Sequence, residues 1–255
     1  MSFRRRLLSG DPLIATWMKT PSHVIADVLG LTSLDCICLD AEHAPFDRIA
    51  IDAAVSALRA AQTPSLVRIP HLSAEHALNA LDCGATGVIA PHVKSPESAE
   101  ALVKMCRYGV GGRGYAGSSR SAGYTTSPMA ENLRRGDDET VIVAQIEDLE
   151  ALEAVDGIAA VDGVDCLFIG RIDLTIALGA ASPDEGIVVE AVDAICAAGC
   201  KADKRIGMFV SNLNEIPKWR DAGASFFALK SEHAFILEGA KALRDHFDAL
   251  ATSTA

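Results

Sequence analysis

Acidic, basic and imidazole side chains recur where short apolar segments of this 255-residue chain end. Asp40 ends the second such segment and His43 follows it, Arg68 lies near the end of the third, Glu147 follows the fifth and Asp173 the sixth. If these segments are strands of a parallel barrel, their carboxyl ends meet at one rim, where barrel enzymes hold their active sites. The pattern therefore predicts a polar cluster at one end of a barrel.

Glu147 and Asp173 are candidates for a divalent metal site. They end neighbouring predicted strands, and two carboxylates held close together resist ionisation unless a cation compensates them. Oxygen ligands with open positions suit Mg²⁺ or Mn²⁺. Gln145, two residues before Glu147, shares its strand face. In the alternative interpretation, Glu147 caps the helix beginning near Asp148 and Asp173 caps a turn. Position alone favours neither.

His43 and Arg68 are candidates for proton transfer and anion stabilisation. His43 lies next to Asp40 and could serve as a carboxylate-oriented general base, or be a loop histidine bonded to its neighbours. Arg68 could hold a carboxylate or a developing oxyanion, or form a structural ion pair. Lys230, at the end of the eighth strand, and Lys94 are alternative candidates, because a buried lysine could form a Schiff base with a carbonyl substrate.

The elements that must position these residues are eight apolar segments separated by helical patterns. Uninterrupted apolar runs are typical of parallel strands buried on both faces. We therefore predict an α/β fold, a single (β/α)8 TIM barrel forming one domain over residues 1–255. A doubly wound sheet is the alternative, but no glycine fingerprint follows the first strand. The predicted strands are 13–17, 36–40, 65–69, 86–90, 141–146, 166–169, 205–210 and 225–229.

Composition excludes several classes of partner. The net charge of −11 repels nucleic-acid phosphates and anionic lipid. No apolar run approaches the roughly 20 residues that cross a bilayer. We therefore expect no nucleic-acid or membrane partner. The arginine-rich start is broken by Asp11 and Pro12 and no cleavage signal follows, which predicts a cytoplasmic protein.

The seven cysteines are odd in number and lie mostly in apolar segments, so we expect reduced, buried thiols. Cys36 and Cys38 are expected on opposite faces of one strand, which would make them a poor metal pair.

Residues 109–140 break the strand–helix alternation and contain the glycine-rich sequence GGRG at 111–114. This sequence could bind phosphate, although it does not open a helix after a strand. Loops this long in compact domains are usually functional or lie at an interface. A structural or intersubunit loop is therefore the other interpretation.

A series of motifs resembles the HpcH/HpaI aldolase family, in that family's order and over nearly the full chain. Members are class II, metal-dependent aldolases that cleave or form 2-oxo acids. The resemblance implies a pyruvate or hydroxypyruvate donor, an aldehyde acceptor and a divalent cation, Mg²⁺, Mn²⁺ or Co²⁺. The matching segments are LDAEHAP (39–45), VRIP (67–70), LDCGATGVIAPHV (81–93), GGRG (111–114), QIED (145–148) and AVDGVDCLFIGRIDLTIALG (160–179).

The resemblance also implies roles for particular residues. Glu147 and Asp173 would ligate the metal, Arg68 would stabilise the enolate oxygen, and His43 would act as the base. Asp40 and Asp82 would tune or orient this base, and Asp82 would reach the site at a subunit boundary. Substrate-binding positions would be Trp17, Gln145, Gly170, Ile172 and Asp173.

The family's usual assembly is a homohexamer, a trimer of dimers, with the C-terminal helix exchanged between subunits. Residues 234–250 carry an apolar stripe at helical spacing, which fits such an exchange. One departure is Gly170-Arg171-Ile172-Asp173, where the family often has Gly-Pro-x-Asp. Further alternatives are a class I aldolase that uses Lys230 or Lys94 as its Schiff base, a CoA-ester lyase of the same barrel superfamily and a non-catalytic metal-binding barrel.

Overall fold

The computed structural model describes residues 1–252, and its eight strands close into one barrel. Each strand pairs in parallel with the next, and the last pairs with the first, Leu13 opposite Phe226. The predicted TIM barrel is confirmed. The strands are β1 (Leu13–Met18), β2 (Cys36–Asp40), β3 (Ser65–Arg68), β4 (Gly87–Ala90), β5 (Val141–Ile146), β6 (Cys166–Ile169), β7 (Arg205–Phe209) and β8 (Ala224–Ser231).

Helices follow the strands and cover the outside of the barrel. Several begin at a side-chain cap: the side chains of Asp47, Ser73 and Ser95 each accept a hydrogen bond from a first-turn main-chain N–H. The helices are α1 (Phe3–Ser9), α2 (His23–Gly30), α3 (Arg48–Ala60), α4 (Ala74–Asp82), α5 (Pro96–Cys106), α6 (Met129–Glu139), α7 (Leu149–Glu153), α8 (Val155–Ala159), α9 (Arg171–Ala177), α10 (Gly186–Lys201), α11 (Ile216–Asp221) and α12 (Glu232–Thr252), with a 3₁₀ turn at Leu213–Glu215.

Side chains fill the interior of the barrel. Phe168 lies in edge contact with Trp17 and Phe226, with ring centroids 5.9 and 6.1 Å apart. Cys36 and Cys38 belong to this same interior cluster. The expectation that they face opposite sides is wrong, because residues two apart on a strand face the same side. All seven thiols are free, and only Cys200 is exposed.

The long segment between α5 and β5 folds back on the barrel. The Arg113 guanidinium lies 2.6 Å from Asp82 Oδ1 and stacks over the Tyr108 ring, 4.8 Å from its centroid. A Cβ on Gly112 would collide with the Arg107 carbonyl oxygen, so this tight turn requires glycine. These contacts favour the structural interpretation of the glycine-rich sequence over phosphate binding.

Helix α12 leaves the barrel after β8 and presents large apolar side chains to solvent. Its exposed residues include Phe235, Ile236, Leu237, Leu243, Phe247 and Leu250. A helix with such an exposed apolar stripe is the usual sign of a further packing partner. No helix within residues 1–252 is long and apolar enough to cross a membrane.

Candidate active site

A cavity of about 390 Å³ opens at the carboxyl ends of the strands. Side chains from β1, β3, β5 and the β6–α9 connection reach it because parallel strands in a closed barrel all end at the same rim. Seven residues predicted from the sequence line it together: Trp17, His43, Arg68, Gln145, Gly170, Ile172 and Asp173.

Arg68 is held in one orientation by two carboxylates and an aromatic ring. Its Nε and Nη2 lie 3.0 and 2.8 Å from the two carboxylate oxygens of Asp40, and its Nη1 lies 3.2 Å from Glu42 Oε2. The guanidinium also stacks over Trp17, 4.4 Å from the ring centroid. Burial raises the pKa of Asp40, but the hydrogen bond and charge of Arg68, with smaller contributions from the His43 main chain and Lys19, outweigh it and keep this pKa below its usual value. Arg68 thus presents a fixed positive charge to the cavity.

His43 borders the cavity with an imidazole that is 56% exposed. Its Nε2 lies 3.7 Å from Glu42 Oε2. Asp40 instead accepts a hydrogen bond from the His43 main-chain N–H at 3.1 Å. Asp40 therefore positions the backbone of His43, and Glu42 is the carboxylate that faces its ring. An accessible imidazole beside a carboxylate is suited to proton transfer.

Glu147 is a buried carboxylate, only 2% exposed. Burial raises its pKa, and the negative charge of nearby Asp173 raises it further. Its oxygens accept hydrogen bonds from the Gln145 amide and from the His92 main-chain N–H, the latter at 2.9 Å. These partners lie outside α7, so the structure does not support a capping role for Glu147.

These residues fit a divalent cation. Asp173 stands in the first turn of α9 and lines the cavity, close enough to Glu147 to act on its pKa. Gln145 is 1% exposed, and its Oε1 has no hydrogen-bond partner within residues 1–252. Carboxylate and amide oxygens are the ligands that hard divalent cations prefer. A cation would also compensate the charge that burial disfavours on Glu147.

The β6–α9 connection supplies main-chain groups next to this cluster. The Gly170 N–H donates to the Ile146 carbonyl at 3.0 Å, so this group is not free to hold a substrate carboxylate as predicted. Ile172 and Asp173 lie in the first turn of α9, where main-chain N–H groups have no acceptor within the helix. A Cβ on Gly170 would lie 2.6 Å from Glu147 Oε2.

Arg171, the departure from the family pattern, is buried and also lines the cavity. It pairs with Glu215 and stacks over Trp219, 4.9 Å from the ring centroid. This side chain therefore fastens α9 to the 3₁₀ turn and α11.

The structure does not bring Asp82 to this cavity. Asp82 ends α4, which runs back along the barrel toward the start of β4, and it pairs with Arg113. Within one chain it therefore lies toward the opposite end of the barrel from His43.

Two residues of the cluster were missed as site residues by the sequence analysis. Glu42 and His92 have possible ligand atoms that lie, together with one from Glu147, within 4.8 Å of one another. The available signal was position, because each stands two residues beyond the end of a strand, β2 and β4 respectively.

The two lysines that could form a Schiff base are engaged in ion pairs. Lys230 Nζ lies 2.6 and 2.8 Å from the carboxylate oxygens of Glu238. Lys94 Nζ lies 3.0 Å from Asp148, whose hydrogen bond and charge raise the pKa of this lysine. A Schiff base needs an uncharged amine, so these contacts argue against a class I aldolase.

The barrel and the cluster at its rim define the class of protein, an α/β-barrel enzyme with a candidate metal site. The sequence profile of the HpcH/HpaI aldolase/citrate lyase family matches residues 13–237. The chain belongs to this family. Its relatives are named aldolases, and the protein is accordingly a carbon–carbon lyase.

Individual relatives cover almost the whole chain. A hydroxypyruvate/pyruvate aldolase from Paraburkholderia phytofirmans is 32% identical over 246 residues, 93% of this chain and 94% of that protein. A 5-keto-4-deoxy-D-glucarate aldolase from Shigella boydii is 30% identical over 250 residues, 96% and 95% of the two chains. A crystal structure of a family member from Burkholderia cenocepacia superimposes with a TM-score of 0.90 at 28% identity, covering 96% of this chain and 98% of that one.

Proposed function

We propose that the protein is a class II aldolase that enolises pyruvate or hydroxypyruvate and adds the enolate reversibly to an aldehyde. The observation that carries this proposal is the convergence of His43, Arg68 and Asp173 on one cavity beside buried Glu147. Names of relatives, hydroxypyruvate/pyruvate aldolase among them, support the choice of donor.

The residues of the cavity divide the reaction between them. A divalent cation held by Glu147 and Asp173, Mg²⁺, Mn²⁺ or Co²⁺, would supply Lewis-acid polarisation of the 2-oxo acid. The first-turn N–H groups of Ile172 and Asp173 bind the substrate carboxylate. Trp17 and Gln145 border the bound donor.

His43 and Arg68 act on the reacting atoms. His43 removes a proton from C3 of the donor, and the C–H electron pair becomes the enolate π bond. Arg68 donates hydrogen bonds to the enolate oxygen, where the negative charge develops. C3 then forms a bond to the aldehyde carbon, and the aldehyde oxygen takes up a proton. Retro-aldol cleavage reverses these steps.

The exposed helix α12 supports an assembly in which it packs on a neighbouring subunit. A second cavity, lined by Ile14, Leu34, Leu213 and Leu229, lies outside β1 and β8 next to Phe235 at the start of this helix. We propose a homohexamer, a trimer of dimers, with α12 exchanged between subunits. In that assembly Asp82 of one subunit serves the cavity of another. The free thiols support a reducing compartment, the cytoplasm.

The assembly is tested by Leu243→Asp with Phe247→Asp, two charges on the apolar stripe. We expect the molar mass from light scattering to fall from the hexameric value, whereas Asp245→Asn on the same helix leaves it unchanged. A hexamer that survives both aspartates would contradict the exchange.

The function is tested by proton–deuterium exchange of the pyruvate methyl group, followed by ¹H NMR. This reaction reports enolate formation without the unknown aldehyde. We expect exchange that disappears with EDTA and returns with Mg²⁺ or Mn²⁺. Exchange that resists the chelator would favour the Schiff-base alternative. In a separate test of the proposed base, we expect His43→Asn to abolish exchange with either metal.

Loss of exchange with both pyruvate and hydroxypyruvate, despite bound metal, would contradict the proposal and favour the non-catalytic barrel. Cleavage of a citramalyl- or malyl-CoA ester in place of exchange would favour the CoA-ester lyase.

A further inference from the structure

Strand β8 is irregular at Lys230, next to the cavity. Ala15 of β1 lies opposite Ala228. Two residues later Trp17 lies opposite Ser231, so β8 contains one residue more than β1 over this stretch. The φ of Lys230 is +56°, a left-handed conformation that is uncommon for residues other than glycine. Bulges of this kind re-aim side chains and are frequent next to active sites.

The bulge changes which side chains reach the cavity. The hydroxyl of Thr16, a fully buried residue, donates a hydrogen bond to the Leu229 carbonyl at 2.8 Å and holds the irregular backbone in place. Consecutive residues of a regular strand face opposite sides, yet Lys230 and Ser231 both line the cavity. Lys230 also borders the second cavity, outside β1 and β8. The bulge therefore brings an ammonium group and a hydroxyl group to the same wall of the first cavity.

The wall of this cavity is rich in positive charge, although the chain has a net charge of −11. Within residues 1–252, the wall has one carboxylate, that of Asp173, and four cationic side chains: Lys19, Arg68, Arg171 and Lys230. The first three of these cations pair with carboxylates that are at most 19% exposed. Lys230 differs, because the carboxylate of its partner Glu238 is 58% exposed.

Lys230 is therefore the cation of the wall that can change its partner. Its Nζ lies 2.8 and 2.6 Å from the two carboxylate oxygens of Glu238 on α12. The Lys230 side chain is itself 37% exposed, and exposed ion pairs contribute little to stability. A lysine carries its three donors on a flexible four-carbon stem. An anion in the cavity can thus replace Glu238 at little cost.

Lys230 lies across the mouth of the barrel from the proposed cation site. The strands close in chain order, so β8 is three strands from β5, which leads to Glu147, and two strands from β6, which leads to Asp173. In the proposed reaction these two carboxylates hold the donor. The acceptor then takes the remaining part of the cavity, bordered by β7, β8 and the start of α12: Phe209, Lys230, Ser231 and Ala234.

We propose that Lys230 determines the specificity for the acceptor, by binding an anionic group, carboxylate or phosphate, that the aldehyde carries. The proposal rests on the proposed function, because it concerns one substrate of that reaction. The anionic group replaces Glu238 as the partner of the Lys230 ammonium, and the Ser231 hydroxyl lies beside it as a further donor. A neutral aldehyde forgoes this contact and leaves Lys230 paired with Glu238.

Matched pairs of aldehydes test this assignment, with the donor that exchanges its C3 protons. Succinic semialdehyde and butanal differ in a terminal carboxylate, and D-glyceraldehyde 3-phosphate and D-glyceraldehyde differ in a phosphate. We expect the wild-type protein to have the higher kcat/KM for the anionic member of at least one pair. That pair identifies the anionic group.

Variants of Lys230 should lose this preference. We expect Lys230→Met, which keeps the length of the side chain without its charge, to lower the ratio of kcat/KM for the anionic over the neutral aldehyde by about 10- to 100-fold, as for a hydrogen bond to a charged group. Lys230→Gly suits a positive φ and should lower the ratio as well. Lys241→Met, which changes an exposed lysine on the same helix as Glu238, is the control and should leave the ratio unchanged.

Glu238→Gln distinguishes a role in specificity from a role in structure. Without its competing carboxylate, Lys230 should bind the anionic aldehyde more tightly, so KM for this aldehyde falls, whereas Lys230→Met raises it. If the ion pair only fastened α12, both variants would act in the same direction. Lys230→Arg keeps the charge and should keep the preference, whereas a Schiff-base lysine would not tolerate this change.

The outcomes separate the two proposals. A ratio that is the same in the wild-type protein, Lys230→Met and Lys230→Gly would overturn the role of Lys230 and leave the aldolase proposal standing. Exchange of the donor protons without a preference for the anionic member of either pair would have the same meaning. A wild-type protein that neither exchanges the C3 protons of pyruvate or hydroxypyruvate nor adds them to any of the four aldehydes would overturn both.

Discussion

Glu147 lies in surroundings that disfavour its negative charge. It is buried, and Asp173 adds a second negative charge nearby. The amide of Gln145 and the main chain of His92 hold its two oxygens in place. A carboxylate fixed in this way is ready to bind an ion, because little reorganisation is needed when the ion enters.

Removing the charge of either predicted carboxylate ligand should remove the cation. We expect Glu147→Gln and Asp173→Asn each to weaken Mn²⁺ binding by more than about 100-fold, since even groups outside the coordination sphere account for about 10- to 100-fold. Titration calorimetry measures the affinity. Asp156→Asn, which changes an exposed side chain on α8, is the control. Undiminished Mn²⁺ affinity in Asp173→Asn would show that Asp173 is not a ligand.

The glycine beside Glu147 is expected to be intolerant of even one methyl group. A Cβ on Gly170 would lie 2.6 Å from Glu147 Oε2 and 2.7 Å from Glu147 Cβ. We expect Gly170→Ala to lower the free energy of unfolding by about 1–3 kcal/mol and to weaken Mn²⁺ binding. Gly179→Ala does not provide a clean control because of its φ of +68°, whereas Gly186, with open space around its Cβ position, does. Equal Mn²⁺ affinity in Gly170→Ala and Gly186→Ala would contradict this account.

The sequence predicted this cluster at the residue scale because the strand ends are clear in it. Asp40, Arg68, Gln145 and Glu147 each end or directly follow a continuous apolar segment, and parallel closure brings such ends together. His92 was not predicted, because its left-handed φ and its approach to Glu147 depend on how two loops meet. The spacing of residues along the sequence does not predict how these two loops pack against each other.

At the scale of elements, Arg171 fastens the helix that carries Asp173. The guanidinium is buried, pairs with Glu215 and stacks on Trp219. Burial raises the pKa of Glu215, but the Arg171 hydrogen bond and charge outweigh it and lower this pKa. A carboxylate whose pKa is lowered on folding stabilises the folded state at pH values above its unfolded pKa, near 4. This stabilisation is lost as pH falls through the folded-state pKa.

The Arg171–Glu215 ion pair therefore predicts a pH-dependent difference in stability between the wild-type protein and the Glu215→Gln variant. We expect Glu215→Gln to be less stable than the wild-type protein at pH 7 and the gap to shrink as pH falls below about 4. Urea unfolding at a series of pH values measures the gap. Asp184→Asn, whose exposed carboxylate lies 3.5 Å from the same guanidinium, should have a smaller effect. A gap that is constant from pH 7 to 3 would exclude the ion pair as its cause.

The elements themselves follow the sequence closely, and the exceptions have physical reasons. Strand β5 has the predicted bounds, because a continuous buried apolar run determines it. Helix α9 was not predicted, because residues 170–173 carry a glycine and two charged residues rather than a helical pattern, and its packing comes from Arg171 and Leu174. The role of Asp82 in orienting the base was inferred from the family resemblance alone. Within a single chain, Asp82 lies beside Arg113.

At the scale of the whole molecule, metal binding should be measurable as thermal stability. A ligand at 100 times its dissociation constant stabilises the folded state by about 2.7 kcal/mol. For a domain of this size that raises the midpoint of thermal unfolding by about 5–10 °C. Differential scanning calorimetry with Mn²⁺, then with excess EDTA, measures the shift. Glu147→Gln should show none, and an equal shift in that variant would place the cation elsewhere.

The aromatic packing beneath the rim also constrains the kinetics. Because Trp17, Phe168 and Phe226 fill the barrel interior, we expect substrate and products to pass through the mouth of the cavity at the carboxyl ends of the strands. If the 2-oxo acid is held at Glu147 and Asp173 as proposed, the aldehyde fragment of the cleavage reaction would lie nearer that mouth. Release is then ordered, aldehyde before 2-oxo acid, and pyruvate should act as a competitive product inhibitor while the aldehyde inhibits noncompetitively.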